Sequence, residues 1–288
     1  MKNKRIGCLG IFLIILIAIA IPSIIIVIDS NTRLVTTEHV LHYDNLPQAF
    51  DRYRIVLLAD LHGNEHGREN EQLIKQIKEA DPDIIVIAGD LIDRYQPGRP
   101  VEKQIETAQT LVHQLVRIVP VYYVTGNHEW DSGMIRPLLS MLEENDVTVL
   151  RNQYRHLTIG NERIILAGVD DPNGPADMVK PDEFIENIRE RENDRDFIIV
   201  LSHRNYNLSL YSDLNVDLVL SGHAHGGMIR LPFTDGLVGP QYDLFPTYTS
   251  GVYSRDDTNM VVSRGIGNHF GWTRFLNNPE VVVIELRN

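Results

Sequence analysis

The amino-acid sequence predicts an α/β fold, a largely parallel β-sheet covered by helices, preceded by one membrane-crossing helix. Three observations predict it. Residues 6–28 carry no charged side chain. Beyond them, short runs that are almost wholly apolar (RIVLL at 54–58, DIIVIA at 83–88, VYYV at 121–124, FIIVL at 197–201) alternate with stretches whose apolar residues recur at helical spacing. Strands of that kind are buried on both faces, as parallel strands are when helices cover them. Five of the strands also end in carboxylate, amide or imidazole side chains, and such sheets bind ligands beyond the carboxyl ends of their strands.

The uncharged run follows Lys2, Lys4 and Arg5. As a helix it would extend about 34 Å at about 1.5 Å per residue, enough for a hydrocarbon core of about 30 Å. Pro22 lies near its far end, where membrane helices tolerate a kink. A cleaved signal peptide would have an apolar region of about 7–15 residues closed by small residues; neither feature is present. Cys8, the only cysteine, opens the run, so it does not resemble a lipoprotein cleavage site and cannot pair within the chain. With the basic residues held in the cytoplasm, the reading is an uncleaved signal anchor. The protein would be single-pass in a cell membrane with its globular part extracytoplasmic. The expected organisation is a basic stub and anchor over 1–28, a linker over 29–33 and a globular domain over 34–288.

At 288 residues and 43% hydrophobic, the chain can bury one large core. Its net charge of −12 argues against a polyanion such as duplex DNA as the general partner. A cleft lined by metal could still draw phosphate.

Residues 36–43 alternate loosely, as an edge strand does, which turns His39 and His42 toward solvent. After Asn45-Leu46-Pro47, the strand at 54–58 runs into Asp60 and His62. Leu73, Ile77 and Ala80 mark a helical stripe, and the strand at 83–88 runs into Gly89, Asp90 and Asp93. Val101, Ile105, Ala108, Val112 and Leu115 repeat at helical spacing, leaving His113 at the surface, and Pro120 closes that segment. The strand at 121–124 runs into Gly126, Asn127, His128 and Glu129. A helix near 135–142 and strands at 147–150 and 163–167 follow. The strand at 197–201 ends in His203, and the strand at 218–220 delivers His223 and His225 just past its end. The charged stretch 186–196 is a solvated helix end and loop. Residues 236–253, rich in Gly, Pro and Tyr, are expected to wrap the rim of the site, and 281–286 to form a closing strand. Phe233, Tyr242, Phe245, Tyr248 and Tyr253 have two readings: packing at the edge of the fold, or an apolar surface for an acyl chain or the membrane interface.

An H-x-H pair can arise by chance, and each strand end alone is a weak signal. Together they supply the carboxylates Asp60 and Asp90, the amide of Asn127, and the imidazoles His62, His203, His223 and His225. A mixed nitrogen and oxygen set without thiolate suits Mn, Fe, Zn or Co rather than Ca or an iron–sulfur cluster. Seven donors are too many for one ion and fit two divalent metal ions sharing one carboxylate. Two such ions against two carboxylates leave positive charge that favours a phosphate oxyanion.

The series Asp60-x-His62, Gly89-Asp90-x-x-Asp93, Gly126-Asn127-His128-Glu129, His203 and Gly222-His223-x-His225 resembles the calcineurin-like metallophosphoesterase superfamily, with all five blocks in order. The resemblance implies a four-layer αββα sandwich. It implies that Asp60, His62 and His225 hold one metal, that Asn127, His203 and His223 hold the other, and that Asp90 bridges them. His128 would protonate the leaving oxygen, and Asp93 would orient His128 or, on the plainer alternative, cap a helix. Ala224 stands where Thr is commoner in the family. The anchor and the continuation through Gly226-Gly227 and Arg230-Leu231-Pro232-Phe233 resemble its single-pass, membrane-anchored bacterial branch. Some members of that branch cleave the pyrophosphate of UDP-linked acyl sugars, a cytoplasmic reaction, whereas the charge rule puts this domain outside.

The expectation is therefore a membrane-anchored, metal-dependent phosphoester hydrolase, acting as a phosphodiesterase, phosphatase or pyrophosphatase on a lipid-linked or envelope substrate. Two alternatives are a metal-binding scaffold, which would have no need of His128, and a nuclease, which would need a basic track that is not visible.

Overall fold

The computed structural model describes residues 8–94, 98–193, 195–239, 242–269 and 271–288. Lys2, Lys4 and Arg5 lie outside them. In chain order the elements are α1 (Cys8–Thr32), β1 (Val35–His42), β2 (Arg54–Leu58), α2 (Glu71–Glu79), β3 (Ile84–Ala88), α3 (Val101–Leu115), β4 (Val121–Val124), α4 (Asn127–Asp131), α5 (Ile135–Glu144), β5 (Thr148–Val149), β6 (Gln153–Ile159), β7 (Glu162–Val169), α6 (Pro181–Arg191), β8 (Ile198–Ser202), α7 (Leu208–Asp213), β9 (Leu218–Ser221), β10 (Gly251–Arg255), β11 (Thr258–Val262) and β12 (Glu280–Arg287).

The strands form two six-stranded sheets, β1-β12-β2-β3-β4-β5 and β10-β11-β9-β8-β7-β6. Pairing is parallel except where β12 meets β2, β10 meets β11 and β6 meets β7. The alternation of side chains along each strand builds the layers. In β2, Val56 and Leu58 face α2 and α3, whereas Ile55 and Leu57 face the second sheet. In β8, Ile199 and Leu201 meet them from across the interface, and Ile198 and Val200 turn to α6 and α7. Three buried clusters therefore separate four layers, helix, sheet, sheet and helix, and the expected αββα sandwich is borne out. A strand between two cores is apolar at every position, which is why these segments read as unbroken apolar runs.

β1 is an edge strand, with His42 exposed and His39 half-buried. The second sheet carries three strands that the sequence pattern did not reveal. β6 (QYRHLTI) is a polar edge strand with Leu157 as its one buried residue, so it lacks an apolar signature. β10 and β11 are joined by a two-residue turn at Asp256-Asp257 and contribute only five residues each.

α1 is long and apolar enough to cross a membrane, and none of its apolar span is buried against the domain. It continues to Thr32, so the polar exit at 29–32 is helical. Arg33 pairs with Asp29 one turn earlier at 2.6 Å.

Candidate metal centre

The carboxyl ends of β2, β3 and β4 in one sheet and β8 and β9 in the other converge on one buried point. Asp60 and His62 follow β2, Asp90 follows β3, Asn127 and His128 open α4 after β4, His203 follows β8, and His223 and His225 follow β9. All nine residues expected from the sequence, Asp93 included, come together here. Asp60, His62 and His225 offer ligand atoms within 4.8 Å of one another, as do Asp90, His203 and His223. Asn127 Oδ1 lies 3.2 Å from His203 Nε2, which joins it to the second group. Asp90 Oδ2 lies between the groups, 3.2 Å from His203 Nε2 and 3.8 Å from His62 Nε2.

The backbone is strained to achieve this. Asp60, His62, Asp90, His223 and His225 all have positive φ, between 47° and 67°. Left-handed conformations at non-glycine residues gather where geometry serves a function. Two glycines permit the approach. A Cβ at Gly126 would fall on Asp90 Oδ1, and one at Gly222 would lie 2.7 Å from Asp60 Oδ2. Glu129, buried on α4, ties two of the loops together. Its carboxylate accepts from the backbone N–H of Gly126 at 2.7 Å and of Asp90 at 2.9 Å.

The donor set fits divalent metal. His62 Nε2 and His225 Nε2 face each other at 3.1 Å within fully buried surroundings. Burial pushes His62 down to about 3 and His225 well below the usual range, so both rings are neutral. Two buried imidazole nitrogens aimed at one point, beside a carboxylate, satisfy each other poorly and a cation well. Burial also drives Asp60 up to about 7. Burial opposes charge on His203, but Asp90 outweighs it and lifts the ring to about 10. The buried carboxylates Asp60 and Asp90 thus call for positive charge beside them. His203 Nδ1 donates to the Ala88 carbonyl at 2.7 Å, which leaves Nε2 as the atom for a metal.

His128 stands beside the donors, with Nε2 4.0 Å from Asp90 Oδ2 and Nδ1 2.6 Å from Asp93 Oδ1. Burial disfavours its charged form, and the Asp90 and Asp93 carboxylates more than compensate, so its pKa is raised. The residue capping α3 is Pro100, not Asp93, whose backbone N–H instead donates to Gln104 Oε1 on that helix at 2.6 Å.

Arg204, Tyr242, His269 and Trp272 line the same cavity, of about 330 Å³, together with Arg94, Asn173 and Met228. Arg204 is held by Asp171 at 2.7 Å and points Nη1 to His223 Nε2 at 3.1 Å. His269 Nε2 lies 3.5 Å from Asp93 Oδ1. Arg274, fully buried behind the cavity, brings Nη2 within 3.5 Å of His225 Nδ1. β11 runs parallel to β9, so the loop after TNMVV reaches the same sheet edge. Arg204 directly follows a candidate ligand.

Nitrogen and oxygen donors without thiolate, gathered at an open cavity, suit a metal-dependent hydrolase. The chain belongs to the calcineurin-like phosphoesterase family, whose profile matches residues 53–227. It is 31% identical to the Bacillus subtilis metallophosphoesterase YkuE over 88% of this chain and 85% of that protein. It is 28% identical to the Campylobacter jejuni metallophosphoesterase Cj0846, over 96% of this chain and 70% of its relative. A zebrafish transmembrane protein with a metallophosphoesterase domain is 26% identical over 85% of this chain, which spans 55% of that protein. Among solved structures, TT1561 of Thermus thermophilus overlays with a TM-score of 0.46 at 14% identity, covering 74% of this chain and 89% of that one. The protein is thus a metal-dependent phosphoester hydrolase that binds divalent metal through its His and Asp clusters.

Proposed function

We propose that two divalent ions, Mn, Fe or Zn, sit side by side in this centre and that the enzyme hydrolyses a phosphoester presented at a membrane. Asp60, His62 and His225 hold one ion and Asn127, His203 and His223 the other, with Asp90 shared. The observation that carries this reading is the position of Asp90, whose Oδ2 lies within 4 Å of an imidazole from each group. When bound, such ions polarise a phosphoryl group and lower the pKa of the attacking water.

The chain's own residues do the rest. His128, whose charged form Asp90 and Asp93 favour, lines the cavity and delivers a proton to the leaving oxygen. Asp93 accepts from Nδ1, which keeps Nε2 as the delivering atom. Arg204, fixed by Asp171, adds positive charge on the wall for a non-bridging phosphate oxygen.

α1 anchors residues 34–288, the catalytic domain, to the bilayer, and the basic residues before it put that domain outside the cytoplasm. Tethering raises the local concentration of membrane-borne substrates and does little for diffusing ones. The substrate class is therefore a lipid-linked or envelope phosphoester, such as a phospholipid.

The test uses the full chain in liposomes. Metal content is measured alongside turnover of a phospholipid diester, a nucleotide pyrophosphate and a water-soluble analogue. Two ions per chain and preference for the lipid ester are expected, and Asp90→Asn should lose metal and turnover together. Full metal occupancy with normal turnover in Asp90→Asn would refute the shared-ligand assignment. Preference for the soluble analogue would refute the substrate class.

A further inference from the structure

We propose that an exposed apolar ribbon, formed by residues 229–239, 242–245 and 274–276, lies on the bilayer beside α1, so that the metal cavity opens at the level of the lipid headgroups. The inference rests on the reading that α1 crosses a membrane.

The boundary of the hydrocarbon is marked on α1 itself. Ile24, Ile25 and Ile28 are more than half exposed, whereas Ser30 is buried against the domain. Asn31 lies about 5 Å beyond Ile28 along the helix, and the headgroup layer is roughly 5–7 Å deep on each side. At that depth Asn31 grips the domain. Its amide donates to the Arg274 carbonyl at 2.9 Å and accepts from the Arg274 backbone N–H at 3.0 Å. Asn278 adds a bond to the Asp29 carbonyl at 2.8 Å. The anchor is therefore docked, and the segment it holds is level with the headgroups.

The ribbon is built outward from that segment. Phe275 bridges Ile229, Arg230 bridges Gly236, and Val238 bridges Leu244. At about 4.8 Å per bridge, the bridged residues lie within about 15 Å of Phe275 in the bridging direction. Exposed apolar side chains concentrate on it. Phe233 is fully exposed, Leu244 and Phe245 are 71% and 74% exposed, and Ile229, Leu231 and Leu276 are partly so. Elsewhere among the described residues, outside α1, the large apolar side chains that are exposed are the scattered Val40, Ile159, Val179 and Tyr206, none above 49%. A contiguous exposed apolar patch marks an interaction surface, and one adjoining a membrane anchor has the bilayer as its nearest apolar partner. Tyr248 and Tyr253, by contrast, pack against the second sheet.

The ribbon also walls the cavity. Tyr242 lies against Trp272 with ring centroids 4.8 Å apart, and both line the metal cavity. Tyr and Trp favour the headgroup zone, where an apolar ring and a polar tip are both satisfied. An amphiphile can thus keep its tails in the leaflet while its phosphate enters beside Arg204 and His128.

Spin labels on the full chain in phosphatidylethanolamine and phosphatidylglycerol vesicles test this. Cys8→Ser removes the native thiol, and single labels follow at Phe233→Cys and Phe245→Cys, with Ile17→Cys in α1 and Asp256→Cys on the far turn as references. Oxygen accessibility should exceed that of a water-soluble nickel chelate at 233 and 245 several-fold, as at 17, and the reverse should hold at 256. Nickel accessibility at 233 and 245 with oxygen at 17 would overturn the ribbon while leaving the anchor. Nickel accessibility at all positions would overturn both. Low accessibility to both reagents at 233 and 245 would assign the ribbon to a protein contact and refute the bilayer. Quenching of Phe245→Trp by brominated lipid, against unsubstituted protein, gives an independent readout.

Discussion

Replacing Asp93 by Asn keeps the shape of the side chain that lies 2.6 Å from His128 Nδ1 and removes its charge. The carboxylate also faces His269 at 3.5 Å, so two imidazoles lose a neighbouring negative charge. A hydrogen bond to a charged group contributes about 1.5–3 kcal/mol net, which at about 1.4 kcal/mol per tenfold is a loss of roughly 10- to 150-fold in turnover. His128→Asn removes the acid itself and should cost about 10²–10⁴-fold, so the two variants should fall in that order. The assay compares kcat on esters of phenol and of nitrophenol, with metal content measured on the same samples. Both losses should shrink for the nitrophenolate, which leaves without needing a proton, and metal content should stay at the level of the unsubstituted protein. Unchanged turnover in Asp93→Asn, or equal losses on both leaving groups, would refute a role through His128. Loss of metal would move Asp93 into the coordinating set.

Gly126→Ala drives a methyl group onto Asp90 Oδ1, so metal content should collapse, as measured on purified protein, while far-ultraviolet circular dichroism still reports the fold. Phe197, fully buried between the sheets and edge-on to Tyr43 at 4.8 Å, leaves a cavity as Ala. Denaturant unfolding should show a loss of about 3–5 kcal/mol, with metal stoichiometry unchanged. Protease added outside spheroplasts should digest the domain, and neutralising Lys2, Lys4 and Arg5 should scramble orientation; protection until the membrane is lysed would invert the topology.

The candidate ligands were legible because parallel strands force them to be. Each strand is short, apolar throughout and followed at once by its polar residue, so Asp60, Asp90, Asn127, His203 and His223 could be located without knowing any contact. What β6, β10 and β11 lacked was that signature. β6 shows solvent most of its side chains, and β10 and β11 are five residues each, β10 at the end of a stretch rich in Gly, Pro and Tyr. Missing β11 hid the loop after it, and with that loop His269, Trp272 and Arg274. The aromatic rim divided along a line no pattern could draw: Tyr248 and Tyr253 pack on the core, while Phe233 and Phe245 are left exposed.

By itself the sequence determined the local things: which segments are strands buried on both faces, where each one ends, which donors wait there, and that residues 6–28 form an uncharged run long enough to cross a membrane. The tertiary structure decided what depends on partners far along the chain. A strand's hydrogen bonds join it to whichever neighbour the topology supplies, so one sheet and two sheets look alike in the apolar pattern, and only packing put β2-β3-β4 opposite β8-β9. Only packing, too, set Asp90 between two imidazole groups and bonded Asn31 at the end of α1 to Arg274, 243 residues later, behind the metal centre. Those contacts are free energies between distant residues, and no window of sequence contains both halves of them.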